Sequence, residues 1–265
     1  MSERSGGETG GDAAEEGDRA GSAVLVTGLH KHFRAPDGSE VRAVDDVSFH
    51  CAPGEIVGLL GPNGAGKTTT LRILATILRP TAGSARVAGC DVLRDPDGVR
   101  RRLGYVSAST GVYERLTGRE TLVYYARLHG IDEARLPARV DEVLTLLEMR
   151  DFCDRVAGRL SAGQRQKVSL ARAIVHDPPV LILDEPTANL DVIVARNVLD
   201  FVETARDSGR AILLSTHLFS EAQRLCDRIV VIHEGRVLAT GTLAELLAAT
   251  ATGNLEDAFF RMVRG

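Results

Sequence analysis

One stretch, Gly61-Pro62-Asn63-Gly64-Ala65-Gly66-Lys67-Thr68-Thr69, constrains what this chain can fold into more than any other. It fits the phosphate-loop pattern G-x-x-x-x-G-K-[ST] at every fixed position. Before it, Glu55 to Leu60 is a short apolar run that reads as a buried strand; after it, Thr70 to Leu78 reads as a helix stopped by Pro80. Strand, glycine loop and helix, in that order, are what the chemistry needs. Glycines let the backbone curl so that successive N–H groups face phosphate oxygens. The helix N-terminus adds partial positive charge. Lys67 then reaches the β- and γ-phosphates, and the Thr68 hydroxyl sits on Mg²⁺. A glycine-rich turn that matched by chance would lack the flanking strand and helix.

The rest of the chain is built to surround such a loop. Alternating strands and helices predict an α/β fold with a doubly wound, mostly parallel sheet. Ala23 to Thr27, Val41 to Val44 and Val47 to His50, with a turn at Pro36-Asp37-Gly38, read as a small antiparallel β-subdomain beside it. Val180 to Leu183 and Ala211 to Leu214 are continuous apolar runs, as expected of parallel strands buried on both faces. Between Tyr113 and about residue 165 strand signals disappear. Thr117-Gly118-Arg119-Glu120 is a capping-box pattern, and Leu136, Val140, Val143, Leu144, Leu146 and Leu147 recur at helical spacing. This block is predicted to be an α-helical subdomain inserted into the core. Residues 1–22 are Gly, Ser, Glu, Asp and Ala with almost no large apolar side chain, and are expected to be a disordered tail. The nucleotide domain is expected to span 23–246, with 247–265 as a C-terminal tail.

Composition removes several function classes. The 265 residues are 44% hydrophobic, enough for a core, while a net charge of -4 argues against a general nucleic-acid binder. With no Trp and 4% aromatics, a stacking platform for single strands is not expected either. No apolar run approaches the ~18 residues needed to span a bilayer. The polar, acidic N-terminus shows no signal-peptide pattern. Cys51, Cys90, Cys153 and Cys226 are widely spaced, which suits incidental thiols in a reducing cytosol.

Further motifs add chemistry. Asp184-Glu185 ends the apolar run 180–183, and ligands of open α/β sheets gather at the carboxyl ends of strands. One carboxylate there can hold Mg²⁺ through its water shell; its neighbour can position an attacking water. His217, in Ser215-Thr216-His217, lands on the same sheet edge and can bond a γ-phosphate. Ser161, in Leu160-Ser161-Ala162-Gly163-Gln164, is a natural N-cap whose helix offers a second anion site. Phe33 lies in a strand; such a residue is more often core than an adenine platform.

The set Gly61 to Thr69, Leu160 to Gln164, Val180 to Glu185, Asn189-Leu190-Asp191 and Ser215-Thr216-His217 closely resembles the nucleotide-binding subunit of ATP-binding cassette (ABC) transporters. Order and spacing agree from about residue 23 to 246. The resemblance implies two such subunits, a homodimer or a pair with a close relative, closing face to face around two ATP molecules. Each ATP would lie between Gly61, Pro62, Asn63, Gly64, Ala65, Gly66, Lys67, Thr68 and Thr69 of one subunit and Ser161, Gly163 and Gln164 of the other. It implies Glu185 as catalytic base, Asp184 and Thr68 as Mg²⁺ residues, His217 as the γ-phosphate switch and Asp191 as a cross-dimer contact. Phe33 becomes an adenine contact. A polytopic membrane permease subunit is implied as partner, which places the chain in the cytoplasm, on the inner face of the cell membrane. Asn254 to Phe260 resembles the tail of single-domain drug- and sodium-export subunits, so export is the expected direction.

Two positions depart from the family pattern. Ala162 replaces a usual Gly, which the first helical turn tolerates. Ala108, in Ser107-Ala108-Ser109-Thr110, stands where a Gln usually touches Mg²⁺ and the membrane partner. Alanine has no ligand atom, so Ser107, Ser109 or water must substitute, and slow but real hydrolysis is expected. Soluble relatives of this fold in DNA repair, translation control or iron–sulfur assembly add a long coiled coil, a second cassette or zinc cysteines, none of which the sequence shows. A non-hydrolysing sensor is opposed by Lys67, Asp184, Glu185 and His217.

Overall fold

Residues 21–107 and 111–264 are described by the structure, a computed structural model. Apart from Gly21 and Ser22, the expected N-terminal tail lies outside these residues, as do Ala108 and Ser109. The chain begins with two long strands, β1 (Val24–Arg34) and β2 (Glu40–Cys51), then β3 (Ile56–Leu60), the loop helix α1 (Lys67–Leu74), β4 (Ala82–Val87), β5 (Cys90–Asp91) and α2 (Pro96–Arg102). After β6 (Leu103–Ser107) come α3 (Gly118–Leu128), α4 (Leu136–Leu146) and α5 (Ala162–Ile174) with no strand between them. The core resumes with β7 (Val180–Asp184), α6 (Val192–Asp207), β8 (Ala211–Thr216), α7 (Phe219–Leu225), β9 (Arg228–His233) and β10 (Arg236–Gly241). Helices α8 (Leu243–Thr250) and α9 (Leu255–Arg264) close the chain.

The strands form two sheets. One is antiparallel, ordered β2-β1-β4-β5; the other runs β10-β9-β3-β8-β7-β6 and is parallel except for β10. The continuous apolar runs follow from the layers on either side. In β7, Val180 and Ile182 pack into the core shared with the antiparallel sheet, while Leu181 and Leu183 pack into the core shared with the helical insert. All four are at most 1% exposed, and each such burial is worth about 1.5–3 kcal/mol. The sequence expectation of two short strands at 41–44 and 47–50 resolves into one, because β2 continues through Asp46 at φ 61, where its register with β1 shifts.

The C-terminal region is packed rather than trailing. The domain edge expected at residue 246 falls inside α8, and Leu255 and Phe259 of α9 are buried with Leu60, Ile229 and Val231. No helix among the described residues is long and apolar enough to cross a membrane.

A stacked histidine pair joins the insert to the core. His129 and His176 lie ring on ring, 3.7 Å between centroids and 6° apart, and His176 Nε2 donates to the Leu103 carbonyl at 3.2 Å. Burial, and then the neighbouring His129, push the His176 imidazole down from the usual 6.5 to about 4. The folded state therefore keeps this ring neutral where the unfolded chain would protonate it, so stability falls as pH drops from about 6.5 to about 4. Denaturant titrations across that window should show a shallower decline for His176→Phe than for the wild type.

Candidate functional site

Three strands end at one point. Asp184 closes β7 in register with Ser215 of β8 on one side and Ser107 of β6 on the other. The phosphate loop leaves β3, which pairs with β8 along its other edge. Parallel pairing thus carries residues far apart in sequence to one sheet edge.

The loop is held from behind and shaped from within. The Gly235 N–H donates to the Ala65 carbonyl at 3.0 Å, and the Gly235 carbonyl accepts from Asp45 N–H at 2.8 Å. Gly64 and Gly66 adopt φ 83 and 104, open to glycine and costly for other residues. A methyl on Gly66 would run into the backbone carbonyl of Ala43, and one on Gly61 into that of Ile232. Lys67, 4% exposed, curls back to donate to the carbonyls of Gly61 at 2.7 Å and Pro62 at 3.0 Å. Burial pulls its ammonium below the usual lysine range; Glu185 and Asp184 oppose that shift. The opposing charges are close, with Lys67 Nζ 3.9 Å from Glu185 Oε1.

The carboxylates divide into two environments. Asp184 is 5% exposed, and its Oδ1 accepts from Thr68 Oγ1 at 3.0 Å and from Ser215 Oγ at 2.6 Å. A buried carboxylate beside a threonine hydroxyl is a set of hard oxygen donors, the chemistry that Mg²⁺ requires. Glu185 is more open, at 25% of its side chain, and sits at φ 51 with its N–H on Ser215. Its Oε1 lies 3.2 Å from His217 Nδ1. A carboxylate only accepts, so Nδ1 is the donor in this pair. The carbonyl of Pro186, next in the chain, accepts from Gln166 Nε2 of α5 at 2.8 Å.

A second group of residues lies around the start of α5. Ser161 and Gln164 form a reciprocal capping box, with Gln164 N–H on Ser161 Oγ at 3.2 Å and Ser161 N–H on Gln164 Oε1 at 3.0 Å. Gly163 packs against Val194 so closely that a methyl there would collide with it. Asp191 caps α6 by accepting from Val194 N–H at 2.9 Å. Ser161, Gly163, Gln164 and Asp191 therefore share one patch. Among the described residues no hydrogen bond joins Ser161 or Gln164 to the phosphate loop. Phe33 is 39% exposed, with Lys31 Nζ 4.9 Å over its ring and Val41 opposite it in β2. It is not a core residue, which removes the plainer of its two readings. Sequence reasoning missed Gln166, Thr187 and Glu221, whose contacts to this edge only the fold creates.

Known proteins match this arrangement. A family model described as ABC transporter covers residues 44–188. The ABC transporter ATP-binding protein NatA of Bacillus subtilis (strain 168) is 40% identical over 227 residues, 85% of this chain and 92% of that protein. The daunorubicin/doxorubicin resistance ATP-binding protein DrrA of Streptomyces peucetius is 42% identical over 233 residues, 88% of this chain and 69% of that protein. Among solved structures, a dimeric ATP-binding cassette in a post-hydrolysis state, bound to ADP and Pi, superposes with a TM-score of 0.75 at 25% identity, over 83% of this chain and 98% of that one. These likenesses carry one conclusion: the chain belongs to the ABC transporter family, as an ATP-binding subunit that hydrolyses ATP.

Proposed function

We propose that Glu185 is the base of this hydrolysis. The carrying observation is that Glu185 stands 3.9 Å from Lys67 and 3.2 Å from His217, with Asp184 beside it on Thr68. A water held by Glu185 gives up its proton to the carboxylate as its oxygen bonds to the γ-phosphorus, and the bond to the ADP oxygen breaks. Lys67 and the loop N–H groups hold the β- and γ-phosphates. His217, standing 3.2 Å from Glu185, is placed to donate a ring N–H to the γ-phosphate. Thr68 and Asp184 would hold Mg²⁺, which neutralises charge on the phosphate oxygens. Phe33 stacks on adenine.

The site is completed by a second copy of the chain, whose Ser161, Gly163, Gln164 and Asp191 close over the nucleotide. The exposed Ser161, which among the described residues makes no hydrogen bond to the loop of its own chain, supports this reading. The same helix N-terminus is a ready anion site. The dimer drives a polytopic membrane permease subunit from the cytoplasmic face of the membrane, in the export direction. The sequence resemblance of Asn254 to Phe260 supports that direction, and the missing partner would be captured by co-purification from membranes.

Mixing two dead variants tests the composite site. Lys67→Ala removes the phosphate cation. Ser161→Asp keeps an N-cap but sets a negative charge against the partner's γ-phosphate. Each alone should fall at least about a hundredfold below wild type. Mixed in equal amounts they should recover roughly a quarter of its activity, because half of randomly paired two-fold dimers are mixed and each carries one intact site. A mixture no faster than the better single variant would sink the shared-site reading.

A further inference from the structure

Glu221 lies in α7, outside every motif described above, yet it is 7% exposed. A buried carboxylate is costly unless donors satisfy it. Its two donors come from different loops. Oε1 accepts from Thr187 Oγ1 at 2.5 Å, and Oε2 accepts from Thr216 Oγ1 at 2.7 Å. Thr187 stands two residues after Glu185, and Thr216 immediately precedes His217. Both threonines are buried as well, at 8% and 2% exposure. The Thr216 hydroxyl also accepts from Leu218 N–H at 3.0 Å, which holds the chain on the far side of His217.

The geometry points to Glu221 as a positioning residue for hydrolysis. It staples the loop after β7 to the loop after β8, and so sets the distance between Glu185 and His217. The carboxylate is satisfied only while both loops keep their present separation; drawing them apart strips it of a donor in a buried place. Glu185 has need of such a restraint. It sits at φ 51, a strained conformation for a glutamate that the surroundings must impose. Glu221 touches neither Lys67 nor Thr68, so its action falls on the chemical step and not on nucleotide capture. This inference rests on the assignment of Glu185 and His217 made above.

Steady-state ATP hydrolysis by the full chain tests it, with ATP affinity and thermal melting measured in parallel. Glu221→Ala should lower kcat by about ten- to a hundredfold, the cost of a small misplacement of reacting groups, and leave KM for ATP within about twofold. Glu221→Gln should return kcat to within about threefold of wild type, since its amide can accept from one threonine and donate to the other. Thr187→Val, close in shape and leaving Glu221 one partner, should fall between. Wild-type kcat in Glu221→Ala or Thr187→Val overturns the inference. So does a loss of kcat matched by an equal loss of ATP affinity, or no rescue by Gln, since either marks a merely structural residue. Should Glu221→Ala fail to fold, Thr187→Val and Glu221→Gln decide the matter by the same criteria. Glu185→Gln runs beside them. If it is dead while Glu221→Ala is fully active, this inference alone falls; if it hydrolyses ATP normally, the assignment of Glu185 falls and takes this one with it.

Discussion

Glu185→Gln is expected to bind ATP at least as tightly as the wild type and to hydrolyse it about a thousandfold more slowly, within the range that a positioned base contributes. The amide keeps the shape, and its oxygen can still accept from His217 Nδ1, now 3.2 Å from Glu185 Oε1. What it loses is the ability to take a proton from water. It also removes one of the two carboxylates that face the buried Lys67. Less negative charge beside the γ-phosphate favours the anionic end of ATP, and Lys67 keeps its bonds to Gly61 and Pro62. Phosphate release and nucleotide titration read the two effects separately. Hydrolysis within a few-fold of wild type would remove Glu185 from the mechanism.

Gly66→Ala should do something different: it should abolish ATP binding by deforming the loop. At φ 104 an alanine is strained whatever the space around it, and its methyl would meet the Ala43 carbonyl, which belongs to the backbone of β2 and cannot swing aside. Strain of this kind together with an overpacked contact costs about 3 kcal/mol or more, which lowers the melting temperature of a chain this size by roughly 10 °C. Gly64→Ala is the control. It shares a positive φ of 83, but nothing lies within 4 Å of the added methyl. Only the conformational part of the penalty applies there, so Gly64→Ala should melt several degrees above Gly66→Ala. Equal melting temperatures would show that contact with Ala43 is not what excludes a side chain at position 66.

How far a sequence can disclose such a site depends on how local the signal is. Strand, loop and helix around Lys67 are contiguous, so their arrangement is written in one stretch. The same holds for Thr117 and Thr242, whose capping partners Glu120 and Glu245 stand three residues on. Val180 to Leu183 was readable because both faces of its sheet are covered, leaving no polar alternation. Glu221 was not readable: a lone Glu in a short helix looks like a solvated one, and Thr187 is 34 positions away. Gln166 fails for the same reason, since its partner is a backbone carbonyl that any residue possesses. Asp46 misled in the opposite way, because a polar pair inside an alternating run reads as a strand end, although β2 passes through it. At the C-terminus, Leu255 and Phe259 read as a tail until the surface they cover is known.

The bond from Gln166 to the Pro186 carbonyl has a mechanical meaning. It leaves the same helix that Ser161 caps and lands one residue beyond Glu185. The bond thus ties the helical insert to the backbone beside Glu185, the carboxylate proposed above as the base. A movement of the insert would therefore act on the peptide beside Glu185 through this bond.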